Sequence, residues 1–91
     1  MERSEISYHE VKLYRLFLAN PSQWFTNRDL TSKSNLPPRT VRLHTYRFVK
    51  LGLVDRAEVF PAHRFRWSEK SSKRNVAYTQ RLAQADEVFP K

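Results

Sequence analysis

Two marks in the chain, the Pro37-Pro38 pair and the only glycine, Gly52, bracket a segment that has to be one helix. Pro38 suits the first helical position, where its missing N–H leaves no hydrogen bond unmade. It also drives Pro37 into an extended conformation, which is what a residue capping a helix adopts. Gly52 stands just past the other end, where a left-handed backbone costs glycine least. The helix therefore runs from Pro38 to about Leu51. At roughly 100° per residue, Val41, Thr45 and Phe48 point one way, flanked by His44 and Leu51. Arg39, Arg42, Leu43, Tyr46, Arg47 and Lys50 point the other.

Shorter elements lie on either side. Residues 4–19 read as a helix, with Ser7 and Glu10 as a capping box and Ser4 as an alternative start one turn earlier. Ile6, Leu13 and Phe17 fall on one face, and Val11, Tyr14 and Leu18 on another. This wide apolar arc packs against two neighbours, or against one neighbour and a partner chain. Asn20-Pro21-Ser22 stops the helix, and Gln23-Trp24-Phe25 is extended. Thr26 then caps a short helix, about Asn27 to Ser32, with Asp29 as the reciprocal cap and Leu30 as its inward anchor. Asn35, in the turn that follows, tolerates a left-handed backbone. Beyond Gly52 the pattern becomes strand-like: residues 53–59 form one arm, Phe60-Pro61-Ala62-His63 the turn, and residues 64–67 the return. Phe65 and Trp67 alternate with Arg64 and Arg66 across the return arm. Trp24 and Trp67 read as core plugs. Residues 68–74 read as a polar, basic linker and residues 75–87 as a last helix.

The charge is unevenly spread. The chain has 91 residues and a net charge of +8. Lys33, Arg39, Arg42, Arg47 and Lys50 fall in a stretch with no carboxylate between Asp29 and Asp55, while both ends of the chain are neutral. A basic block within an otherwise neutral domain is the footprint of a polyanion site. Other chemistries lack their residues. Without cysteine there is no disulfide framework or thiolate metal site, and one glycine cannot make a phosphate-cradling loop. His9, His44 and His63 show no metal-ligand spacing, and no base can be nominated for a hydroxyl nucleophile. An enzyme is not expected, nor a metal, a cofactor or a small-molecule ligand. No apolar run reaches the ~20 residues of a membrane helix, and the N-terminus lacks a secretory profile.

Helix, short strand, short helix, tight turn, longer helix and hairpin follow one another here. The order, together with Trp24-Phe25-Thr26-Asn27-Arg28-Asp29-Leu30, Asn35-Leu36-Pro37-Pro38-Arg39-Thr40-Val41 and Val49-Lys50-Leu51-Gly52-Leu53-Val54, resembles a winged helix-turn-helix domain of bacterial and archaeal transcription regulators. The resemblance covers about Val11 to Trp67. Two residues depart from it. Asn35 stands where glycine is more usual, and Thr45 where leucine is more common, so packing there is looser or the hydroxyl bonds back to the preceding turn. The resemblance implies a mainly α fold with a small β-hairpin wing, a three-helix core and a C-terminal helix. Residues 1–67 form the winged domain, and residues 68–91 a linker and helix.

The implied partner is double-stranded DNA, read by the third helix in the major groove. Arg39, Arg42, Leu43 and Tyr46 are the expected base readers, since arginine grips guanine and an apolar group meets the thymine methyl. Arg47, Lys50, Lys33, Thr26, Asn27, Ser34 and Thr40 are expected along the backbone, Thr26 being equally well a cap alone. His63, Arg64 and Arg66 would lie on the wing, His63 equally well as an exposed turn residue. In the last helix Tyr78, Leu82, Ala85 and Phe89 form a narrow apolar seam that either joins a second copy as a homodimer or folds back on its own domain. The expected role is a cytoplasmic, nucleoid-associated transcriptional repressor that occludes a promoter. The alternatives are a docking module of a transcription or replication complex, and origin or RNA binding through the same basic face.

Overall fold

Ser7 starts the first helix. In the computed structural model, which describes residues 6–59 and 62–90, α1 (Tyr8–Ala19) opens on the Ser7–Glu10 capping box, with the Glu10 N–H donating to Ser7 Oγ at 3.2 Å. The alternative start at Ser4 lies outside the described residues. The second box, Thr26 with Asp29, opens α2 (Asn27–Ser34), which runs beyond the expected Ser32 until Asn35 turns left-handed at φ 64°. Then α3 (Pro38–Lys50) starts behind an extended Pro37 and ends before Gly52, whose φ is +82°.

The hairpin pairs β1 (Val54–Val59) antiparallel to β2 (Ala62–Trp67), in a register that sets Val54 opposite Trp67 and Val59 opposite Ala62. Ala62 and His63, expected in the turn, belong to β2: their backbone continues the ladder, which local turn propensity does not reveal. Phe60 and Pro61 lie outside the described residues. Phe25 adds a one-residue third strand, exchanging both backbone hydrogen bonds with Phe65 at 2.7 Å.

The stretch expected as a linker is ordered. Ser68 and Ser71 are buried, the Ser68 N–H donates to the Leu53 carbonyl at 2.8 Å, and α4 (Ser71–Arg74) follows. Asn75 caps α5 (Val76–Val88) through its side-chain oxygen. Its amide also donates to the Leu51 carbonyl at the end of α3, at 3.4 Å.

One core joins these elements. Leu13, Tyr14 and Phe17 of α1 meet Phe25, Leu30, Leu36, Val41, Phe48, Leu53, Val54, Phe65 and Trp67. Phe17 and Phe25 pack edge-on at 5.8 Å, and Phe48 and Trp67 at 6.2 Å. Trp24 is no plug; it is half-buried, with the Arg66 guanidinium 4.4 Å from its ring centroid. Thr45 is buried, and its hydroxyl has no hydrogen-bond partner among the described residues, so it does not bond back to the preceding turn.

The α5 seam folds back. Leu82 is fully buried in the core, Tyr78 packs against it, Ala85 is half-buried, and the Phe89 ring lies 5.3 Å from that of Tyr8. Arg15 of α1 locks the arrangement by donating to Asp86 Oδ1 and to the Phe89 and Pro90 carbonyls at 2.8 and 2.9 Å. Of the two arrangements expected for this seam, a second copy or its own domain, these residues take the second. The reason is that the apolar arc of α1 offers these residues a longer partner than two turns of α5 offer each other. Among the described residues no helix is long and apolar enough to cross a membrane.

Candidate nucleic-acid interface

The inward residues of α3 are Val41, His44, Thr45 and Phe48, all buried. That leaves Arg39, Arg42, Leu43, Tyr46, Arg47 and Lys50 on the exposed side, Leu43 at 58% and Tyr46 at 36% exposure. Leu43, Tyr46, Arg47 and Lys50 surround a recess of about 240 Å³. The Tyr46 ring stands edge-on to Phe65 of β2 at 6.1 Å, so its position is set by the hairpin.

Two larger depressions continue this face. One, about 380 Å³, lies between the starts of α2 and α3 and is lined by Asn27, Arg28, Thr31, Ser32, Pro38 and Arg42. The other, also about 380 Å³, lies between the start of α2 and the hairpin, and is lined by Thr26, Asn27, Arg28, Ala62, His63 and Arg64. Arg28, which is not among the contact residues expected from the sequence, borders both. A signal was there: a cation in the first turn of a helix opposes the macrodipole, so local helix energetics do not account for it. None of the described residues lining the three recesses is acidic.

Not every expected contact residue reaches this surface. Ser34 is buried, and its hydroxyl oxygen accepts from the Leu36 N–H at 3.3 Å, so it builds the turn and is closed to a phosphate. Lys33 lies on the opposite flank of α2, beside Tyr8, Lys12, Arg15 and Leu16. Thr26 uses its hydroxyl oxygen as the cap, and Thr40 is half-buried. Arg66 stacks on Trp24 and lies 3.7 Å from Asp55, which Arg74 also bonds at 3.2 Å, so it is tied to the base of the hairpin rather than its outer end. Arg64, opposite Ala57, and His63, opposite Glu58, are the exposed members nearer the tip.

Arg47 is held from behind. Its guanidinium lies 3.6 Å from the Glu10 carboxylate, which is 3% exposed. The Tyr78 hydroxyl donates to that same carboxylate. Burial first, and then the Glu10 carboxylate, push the Tyr78 hydroxyl up to about 12. His44 sits on the buried side of the same helix, its Nδ1 without a hydrogen-bond partner among the described residues. Burial lowers its pKa below the usual histidine value; Glu10 works against this, while Arg47 and His9 add to it. Among the described residues, no three metal-ligating side chains come together.

No protein-family model matches the chain, and no curated protein matches it. Solved structures do. A possible transcriptional regulator from Methanosarcina mazei Go1 superposes with a TM-score of 0.69 at 15% identity, over 94% of this chain and 81% of that one. A MarR family transcriptional regulator from Streptomyces coelicolor gives 0.65 at 17% identity, over 93% of this chain. This is the winged helix-turn-helix fold. In winged-helix terms the β1–β2 hairpin is the wing and α3 the helix that follows the turn at Asn35. Another winged-helix match, ZitR of Lactococcus lactis in complex with DNA, gives 0.60 at 13% identity, over 96% of this chain. The chain spans 62% of the length of each of these last two proteins. At such identities the likeness is one of fold.

Proposed function

We propose that the chain binds double-stranded DNA sequence-specifically and serves as a cytoplasmic, nucleoid-associated transcriptional regulator, repressing by occupying a promoter. The observation that carries this reading is that Leu43 and Tyr46 on α3, Arg42 and Arg28 between α3 and α2, and Arg64 on the wing line three recesses with no acidic residue among their described linings. An α-helix fits the major groove of B-form DNA, where arginine bonds guanine O6 and N7. With α3 there, the start of α2 faces the phosphate backbone through its free N–H groups, and the wing lies along the flank. That ZitR, a protein of the same fold, is known in complex with DNA supports DNA as the partner. Two chains acting as a homodimer would read half-sites about one helical turn apart. The reading calls for no cofactor, catalysis or small-molecule ligand.

Selection from a random duplex library at about physiological salt tests it. The expected result is an enriched motif, two half-sites reporting a pair of chains and one reporting a single chain. Binding without enrichment, or no retention, overturns site-specific regulation. Five cations on the face (Arg28, Arg39, Arg42, Lys50 and Arg64) are neither ion-paired nor stacked among the described residues. With Arg39 and Arg42 on base edges, the other three predict a log K against log salt slope of about −2.7 per chain. Near-zero slope overturns the phosphate-facing placement. Duplex RNA should compete poorly, because its major groove is too narrow for α3.

A further inference from the structure

We propose that Leu43 and Tyr46 form a reader for the C5-methyl group of a pyrimidine, a selectivity that rests on the DNA-binding reading above. Leu43 is the most exposed large apolar side chain on α3 and takes no part in the core. It stands in the middle of a face otherwise made of cations and one tyrosine. Packing within the chain gives no reason for it.

The recess beside it is pre-shaped. Of its four lining residues, Tyr46 is fixed edge-on to Phe65 at 6.1 Å, and Arg47 is drawn to buried Glu10 at 3.6 Å. Two walls are therefore set by groups behind α3, and Leu43 supplies the apolar surface. The base edges in the major groove are hydrogen-bonding groups, with one apolar feature, the C5-methyl of thymine. A cytosine methylated at C5 presents the same group. Arg42 precedes Leu43 on the helix, free of any ion pair among the described residues, and takes the guanine beside that methyl.

The test uses the enriched duplex and the full chain. Each thymine is replaced singly by uracil, which removes only the methyl, and each cytosine singly by 5-methylcytosine, which adds it. At one position uracil should weaken binding about fourfold, the effect of losing one buried methyl. If the selected pyrimidine there is cytosine, methylation should tighten binding by a similar factor; the two arms separate thymine from methylated cytosine. In Leu43→Ala the methyl effect should vanish at that position, with an unchanged thermal unfolding curve because Leu43 lies outside the core. Duplex binding that ignores the methyl at every position overturns the proposal. So does a methyl effect that survives in full in Leu43→Ala. Failure to bind any duplex overturns the DNA reading itself, and this proposal with it.

Discussion

His44 is a titratable side chain placed where charge is unwelcome, directly behind the exposed face of α3. It is 8% exposed, and burial holds its pKa below 6.5. The unfolded chain therefore takes up a proton at a pH where the folded chain still refuses it. Stability contributed by neutral His44 is present above pH 6.5 and is lost as pH falls below it. Thermal unfolding followed downward from neutral pH should show this loss, and His44→Gln should flatten it. Tyr78 behaves in the opposite sense. With its hydroxyl raised from 10 to about 12, its contribution is complete below pH 10 and is lost as pH rises through 12. A phenolate absorbance titration should show a late step that Tyr78→Phe removes. Arg28→Ala should weaken binding to all duplexes alike and make the salt slope shallower by about 0.9, as expected for a phosphate contact. Which cations lie on the outer face of α3 was legible from helical spacing alone. That Arg47 is tied down was not, because Glu10 and Tyr78 reach it from distant parts of the chain.

At the level of elements, the boundaries that could be read were those whose cause is local. Ser7, Thr26, Asn35, Pro38 and Gly52 each act within a few residues of their own position, and the helices start or stop where they stand. The hairpin ends and α4 depend on partners elsewhere in the chain: β1 for Ala62 and His63, and the Leu53 carbonyl for Ser68. No periodicity marks the four residues of α4. Gly52 also carries a packing constraint that its sequence position does not reveal. A Cβ there would meet Cβ and Cδ of Arg74 at 3.1 Å, besides the positive φ. Gly52→Ala should cost about 1–2 kcal/mol from the left-handed backbone, with crowding added, read as a lowered midpoint in urea. Asn35→Gly should be nearly neutral, since the backbone there is already left-handed.

For the whole molecule, the deciding side chain is Leu82. Fully buried among residues of the helical core, it makes α5 part of that core. Leu82→Ala should destabilise the chain by about 2–5 kcal/mol in denaturant unfolding. The loss should be the same at every protein concentration, because the contacts removed lie within one chain; a seam between copies would make it concentration-dependent. Further ties run the same way: Asp55 of β1 is shared by Arg66 and Arg74, and Asn75 holds the Leu51 carbonyl. A cassette cut after Trp67 would keep every side chain of the outer α3 face yet lose Leu82, Arg74 and Asn75. Grafted onto another protein, it would carry the vocabulary of recognition without the frame that orients it. The smallest piece that an engineer, or a recombination event, can move intact therefore extends to the end of α5.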